Sequence, residues 1–138
     1  MRLSHGPSIC KLLGTGIDAV EIDRFAHWHA YTKTQLLRVF SQEEIDYCLQ
    51  IPVKSAERFA ARFAAKEATY KAACSLGIKN ISFFAFCKII SVDKRKDNCP
   101  VIKINSTNTK INEMLDSVKI SLSITHTKTL AIASIIIY

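Results

Sequence analysis

The stretch from Ser55 to Leu76, SAERFAARFAAKEATYKAACSL, constrains this chain more than any other. It is rich in alanine, free of internal glycine and proline, and followed by Gly77. Alanine is the best helix former, and glycine just past the last turn is a common stop. A helix of that length spans about 30 Å, so the rest of a small fold must be built against it. At 3.6 residues per turn, Ala56, Phe59, Ala60, Phe63 and Cys74 share one arc, the expected buried face. Glu67 falls in the middle of that arc. Arg58, Arg62 and Lys66 run along one flank at i, i+4 and i+8, and Lys71 lies close to Glu67 on the other side.

A carboxylate on a core-facing stripe is costly unless something pairs with it. Three partners fit: an Arg or Lys in a salt bridge, a proton on a carboxyl of raised pKa, or a metal ion. The cations around Glu67 exceed what one carboxylate needs, which favours a phosphate ligand in the same neighbourhood. Mg²⁺ takes one or two protein carboxylates together with substrate phosphates and water. Asp18 is a candidate second ligand and Glu21 a weaker one. Leu12 to Ile22 (LLGTGIDAVEI) reads as a strand whose period of two puts Gly14, Gly16 and Asp18 on one face. Glycines there leave space around the carboxylate, or room for a ligand to approach the backbone.

Around these two elements the pattern predicts a short helix over Asp23 to Tyr31 and a capping box, Ser41 with Glu44, opening another. Strands are predicted at Ile81 to Val92 and Val101 to Ile104, separated by a polar turn from Asp93 to Pro100. A short helix follows over Lys110 to Leu115. The β-branched runs Val118 to Ile124 and Leu130 to Ile137 read as a hairpin joined by Thr125 to Thr129. The fold class is α+β, with a mostly antiparallel sheet packed against one long helix and several short ones. Residues 1–10 read as an N-terminal extension and 11–138 as a single domain.

At 138 residues with 49% hydrophobic content, the chain is a globular domain and not a disordered one. Nineteen Lys and Arg against 12 Asp and Glu give +7, which suits a polyanionic partner without choosing among nucleic acid, phosphorylated cofactor and acidic protein. The five cysteines, Cys10, Cys48, Cys74, Cys87 and Cys99, form no zinc-spaced pair and no even framework, so reduced cytoplasmic thiols are expected. The N-terminus lacks the apolar core of a signal peptide. The longest apolar run, Ile132 to Tyr138, is too short to span a bilayer, so no membrane partner is expected. His126 between Thr125 and Thr127 is either a solvated turn residue or a phosphate donor. His27 and His29, flanking Trp28, read as surface or interface residues.

Three segments carry a resemblance: Gly14 to Arg24 (GTGIDAVEIDR), Arg62 to Ala72 (RFAAKEATYKA), and Ser121 to Thr127 (SLSITHT) with Ala131-Ile-Ala133. In that order and spacing they resemble the acyl carrier protein synthases, the small class of 4′-phosphopantetheinyl transferases, over residues 12 to 137. The resemblance implies the 4′-phosphopantetheinyl transferase fold and transfer of phosphopantetheine from coenzyme A to a serine of an acyl carrier protein, in support of fatty acid biosynthesis. It implies Mg²⁺ held by Asp18 and Glu67, with Lys71 and His126 supporting the charge that develops in the reaction. It places Arg62, Lys66 and Lys71 at the coenzyme A phosphates or lining its site, and Lys54 and Arg58 near the 3′-phosphate. His126 and Thr127 join the same cofactor-binding set. Arg24 would dock the carrier protein, and the enzyme would be a cytoplasmic homotrimer with sites between neighbouring chains.

The acceptor of the serine proton stays open among Glu44, Asp18 and a water relay. Three departures bear on nucleotide contacts: Cys74-Ser-Leu-Gly77 stands where a Gly-Thr-Gly loop is usual, Tyr70 replaces a smaller residue, and the Asp97 to Pro100 turn lacks a glycine. Two rivals predict other behaviour. A nucleic-acid-binding module requires basic residues interleaved with exposed aromatics along one surface. A metal-dependent phosphohydrolase would release phosphate with no carrier protein.

Overall fold

The computed structural model describes residues 9–138, so most of the expected N-terminal extension lies outside the described residues. Strand β1 (Gly14–Glu21) leads into two 3₁₀ turns, Ile22–Phe25 and Trp28–Ala30. Helices α1 (Lys33–Leu36) and α2 (Gln42–Leu49) follow, then a third 3₁₀ turn, Pro52–Lys54, and the long helix α3 (Ser55–Cys74). Beyond it come α4 (Phe83–Cys87), the hairpin β2 (Ile90–Lys94) and β3 (Pro100–Ile104), α5 (Thr109–Asp116), and the closing hairpin β4 (Ile120–His126) and β5 (Leu130–Ile137). The sheet expected as one is two: an antiparallel β1-β5-β4 sheet with β5 central, and the separate β2-β3 ribbon. The α+β class stands. No helix among the described residues is long and apolar enough to cross a membrane.

Close packing of α3 on the sheet explains its composition. Ala60, Ala64, Ala68 and Ala72 are fully buried, facing a sheet that buries Val20, Ala131, Ala133, Ile135 and Ile137. Small side chains on the helix let its backbone come down onto β1. A Cβ on Gly14 would stand 2.8 Å from the Ala72 carbonyl oxygen, and one on Gly16 would collide with the Ala68 carbonyl. The space beside Asp18 that the glycines create is therefore filled by α3, not left for a ligand. This also shifts the wheel: the core arc is the alanine face, Cys74 is exposed, and Glu67 is only half-buried at its margin.

Two elements differ from the sequence pattern. Asp23 to Tyr31 does not form one helix; its two 3₁₀ turns press Phe25 and Trp28 onto Phe63, Phe40 and Phe59. Ile81 to Val92 begins as helix rather than strand. Ser82 caps α4 by accepting the Ala85 amide at 3.2 Å, and extended backbone starts only at Ile90. Phe83 and Phe86 sit three apart, both stacked near Tyr70, so aromatic packing at helical spacing overrides their strand preference. The short helix α1, opened by a Thr32–Gln35 capping box, is an element that the sequence pattern does not announce.

The three sequence departures have local explanations. Tyr70 donates its hydroxyl to the Ile81 carbonyl at 2.7 Å and anchors the segment leading to α4. The Cys74–Gly77 turn ends on Gly77 at φ 84°, the left-handed conformation that favours glycine. In the Asp97–Pro100 turn Asn98 takes that conformation at φ 64°, as asparagine tolerates, while Asp97 accepts the Cys99 amide at 3.1 Å.

Candidate active site

Where α3 crosses β1, Asp18, Glu67 and Lys71 come together. Lys71 Nζ donates to Asp18 Oδ1 at 2.8 Å and to the Ile17 carbonyl at 3.0 Å. The hydrogen bond to Asp18 pushes the Lys71 pKa up, holding it as an ammonium. The other oxygen, Asp18 Oδ2, is buried with no hydrogen-bond partner. Burial pushes the Glu67 carboxyl up, the Asp18 charge adds to this, and Lys71 and Arg24 only partly oppose it. Two carboxylates thus face one neighbourhood beside Lys71, and burial more than any other cause makes the charge on Glu67 costly.

That arrangement fits a divalent cation. An orphaned buried carboxylate oxygen and a second carboxyl raised by burial and by the Asp18 charge both gain from one. Among the described residues no cluster of three or more His, Cys, Asp or Glu could hold a metal, so the rest of the coordination shell would be water or phosphate. Mg²⁺ accepts that donor set readily. Glu21, the weaker candidate, is exposed at the end of β1.

The remaining expected cations do not gather around Glu67. Glu67 lies nine positions after Arg58, and Lys71 nine after Arg62. At about 100° per residue this is roughly two and a half turns, which puts the two pairs on opposite sides of α3. Arg58 and Arg62 point instead to α2, their guanidinium carbons 4.0 and 3.9 Å from the centre of the Tyr47 ring. Lys94 joins them, with Nζ 4.5 Å from that ring centre and 2.9 Å from the Tyr47 hydroxyl. With His126, Glu57 and Pro100 these residues line a pocket of about 190 Å³. His126 is the last residue of β4, not a turn residue, and its Nε2 lies 3.3 Å from Glu57. Arg62 is buried, and its Nε has no hydrogen-bond partner. A basic pocket of this kind suits a phosphate group.

Lys66 belongs to neither place. Its side chain is 0% exposed and pairs at 2.9 Å with Glu44, itself 1% exposed. Lys66 also donates to the carbonyls of Cys87 and Ile90 at 3.0 and 2.9 Å. Glu44 accepts from Ser41 N at 2.7 Å in the capping box and from Val92 N at 2.8 Å. The pair ties α2, α3 and β2 together inside the core. Glu44 is thereby removed as the acceptor of a substrate proton.

Lys54 is exposed at the entrance to α3. Thr127 closes the β4–β5 turn, its hydroxyl accepting the amides of Thr129 and Leu130 at 3.2 and 3.0 Å. Arg24 lies exposed over Phe25 and Phe63, with its guanidinium carbon 5.9 and 5.6 Å from their ring centres. His27 and His29 are exposed. The residues that sequence reasoning missed are Tyr47 and Lys94. Lys94 opens a charged run and Tyr47 sits on a short amphipathic helix, so neither carries a local signal of its role.

The α+β fold thus carries a carboxylate pair beside a lysine and, on the far side of the same helix, a separate cation pocket. The chain belongs to the 4′-phosphopantetheinyl transferase superfamily, whose model matches residues 14–132. It is 37% identical over 126 residues to a holo-[acyl-carrier-protein] synthase of Treponema denticola, covering 91% of this chain and 98% of that one. It is 34% identical over 127 residues to the synthase of Koribacter versatilis, with 91% and 98% covered. Among solved structures it resembles a Chronobacterium ammoniagenes ACPS–CoA complex, with a TM-score of 0.71 and 26% identity over 91% of this chain and 96% of that one. It also resembles the Helicobacter pylori holo-[acyl-carrier-protein] synthase in complex with coenzyme A, with a TM-score of 0.66 and 28% identity, covering 90% and 99%.

Proposed function

We propose that this chain transfers the 4′-phosphopantetheine group of coenzyme A to a serine of an apo acyl carrier protein, with Mg²⁺, as a homotrimer whose sites lie between neighbouring chains. The serine hydroxyl gives its proton to Asp18 or to a water, its oxygen bonds to the phosphorus bearing the pantetheine arm, the bond from that phosphorus to the bridging oxygen breaks, and 3′,5′-ADP leaves with that oxygen. The observation that carries this reading is the orphaned Asp18 Oδ2 beside the raised Glu67 carboxyl, in a chain of this superfamily.

Asp18 and Glu67 would hold the cation, which supplies neutralisation of charge on the diphosphate. Lys71, kept as an ammonium by Asp18, stands ready to donate to phosphate oxygens. Arg58, Arg62, Lys94 and His126 offer a second group of donors, but on the opposite side of α3 from the carboxylates. One ligand reaching both groups is served if the second comes from another copy of the chain. The outer face of the β1-β5-β4 sheet supports such an assembly. Ile17 and Ile136 are 65% and 45% exposed there, and the depression they line reaches Lys71. Arg24 and the aromatic turn beneath it form the face offered to an acidic carrier helix, by rim electrostatics that mainly speed encounter. A cytoplasmic setting is proposed on the same footing. All five cysteines are free, and burial pushes the thiols of Cys48 and Cys87 up to about 12.

The test is to mix the protein with coenzyme A, Mg²⁺ and apo carrier protein and to weigh the carrier. The pantetheine mass increment is expected, and it should vanish with a chelator or in Asp18→Ala. Absence of the increment with every carrier tried would overturn the reading. Subunit mixing tests the shared site: Asp18→Ala and Arg62→Ala chains, each inactive alone, should regain part of the activity when mixed and refolded together. No regain would place both groups of residues in one chain's site.

A further inference from the structure

Tyr47 stands at the centre of the cation pocket without a role in the chemistry described so far. Three cations converge on its ring, and none of them forms an ion pair with a carboxylate among the described residues. Arg58 is held further by donating to the Tyr47 carbonyl at 2.6 Å, and Lys94 by donating to its hydroxyl at 2.9 Å. Like charges gathered this closely repel, and free rotation of three long side chains would scatter them. An aromatic face attracts a guanidinium or ammonium through its negative quadrupole, and the attraction grows as water is excluded. The one carboxylate of this pocket, Glu57, is turned to His126, and Glu43 and Asp93, which line the adjoining cavity that Tyr47, Arg62 and Lys94 also border, form no ion pair with the three cations.

We propose that Tyr47 is a positioning residue, whose ring and hydroxyl hold Arg58, Arg62 and Lys94 converged and unpaired so that they receive a phosphate of the nucleotide substrate. The inference rests on the coenzyme A reading above and adds a residue to it. Tyr47 touches no reacting atom; it acts through the three cations. Burial pushes its phenol up, yet the Lys94 hydrogen bond and the charges of Arg62 and Arg58 outweigh this and hold it below its ordinary value, which marks how strongly the cations bear on it.

The test compares Tyr47→Phe and Tyr47→Leu with the unmodified protein, by steady-state kinetics and by calorimetric binding of 3′,5′-ADP. Tyr47→Leu removes ring and hydroxyl. It should raise KM for coenzyme A about tenfold or more and weaken 3′,5′-ADP binding by a similar factor, with kcat within about twofold. Tyr47→Phe keeps the ring and releases only Lys94, so both changes should be about threefold. A folded Tyr47→Leu with unchanged KM, or one that loses kcat at constant KM, overturns the proposal. Should Tyr47→Leu not fold, an unchanged KM and 3′,5′-ADP affinity in Tyr47→Phe overturns it instead. Failure of the unmodified protein to bind 3′,5′-ADP would overturn the coenzyme A reading itself, a result distinct from equal binding by protein and variant.

Discussion

Replacing Lys66 with methionine separates a structural role from a ligand-binding one. Methionine fills the volume of the lysine stem but leaves Glu44 inside the core, 1% exposed, without its counter-charge at 2.9 Å. The carbonyls of Cys87 and Ile90 lose a donor at the same time. Breaking a buried ion pair by removing one partner costs about 3–5 kcal/mol, because the charge left behind is uncompensated. With roughly 2.1 cal/mol/K of unfolding entropy per residue, a chain of 138 residues has about 0.29 kcal/mol/K, so Tm should fall by roughly 10–17 °C. That is a large share of a typical total stability of about 5–15 kcal/mol.

The assay is urea and thermal unfolding by circular dichroism, with KM for coenzyme A measured at a temperature where the variant is folded. The KM should be unchanged. Glu44→Gln combined with Lys66→Met should lose less than the sum of the single changes, by about 0.5–3 kcal/mol, since the stranded charge is gone. A loss below about 1 kcal/mol for Lys66→Met, or a raised KM in a variant of normal stability, would refute the burial argument. It would return Lys66 to the phosphate site.

Gly16→Ala should destabilise by at least about 1–3 kcal/mol in denaturant and lower activity as well, because the new Cβ must push α3 off β1 beside Asp18. Glu67 makes stability fall with rising pH. Its folded pKa is raised above the ordinary 4.5, so the stabilisation is complete below that value and is lost as pH climbs through the folded pKa. Glu67→Gln should flatten that slope, and in the unmodified protein divalent-cation affinity should rise over the same window, as isothermal titration would record. Ile17→Lys places a charge on the outer sheet face and should shift the protein to monomer in light scattering while leaving its circular dichroism intact.

Much of this protein could be read along the chain, and the reason differs from element to element. Alanine content and Gly77 were enough to place the long helix within two residues, because helix formation depends on neighbours a few positions away. Alternation put Gly14, Gly16 and Asp18 on one face of β1, and the three motifs named the superfamily. Of the strand expected over Ile81 to Val92 only Ile90 to Val92 is extended, because Tyr70 and Phe63 offer the aromatic residues before it a helical packing site.

The candidate site divides along the same line. Asp18, Glu67 and Lys71 are legible because one strand and one helix suffice to bring them together. A helical wheel assigns directions around an axis but not what lies in each direction, so it could not tell that Lys66 points to a buried Glu44. Nor could it tell that Arg58 and Arg62 point to Tyr47, which lies on another helix, or that Lys94 reaches them from β2. Charge is long-ranged and indifferent to sequence order, so a cation's partner is decided only when distant elements pack.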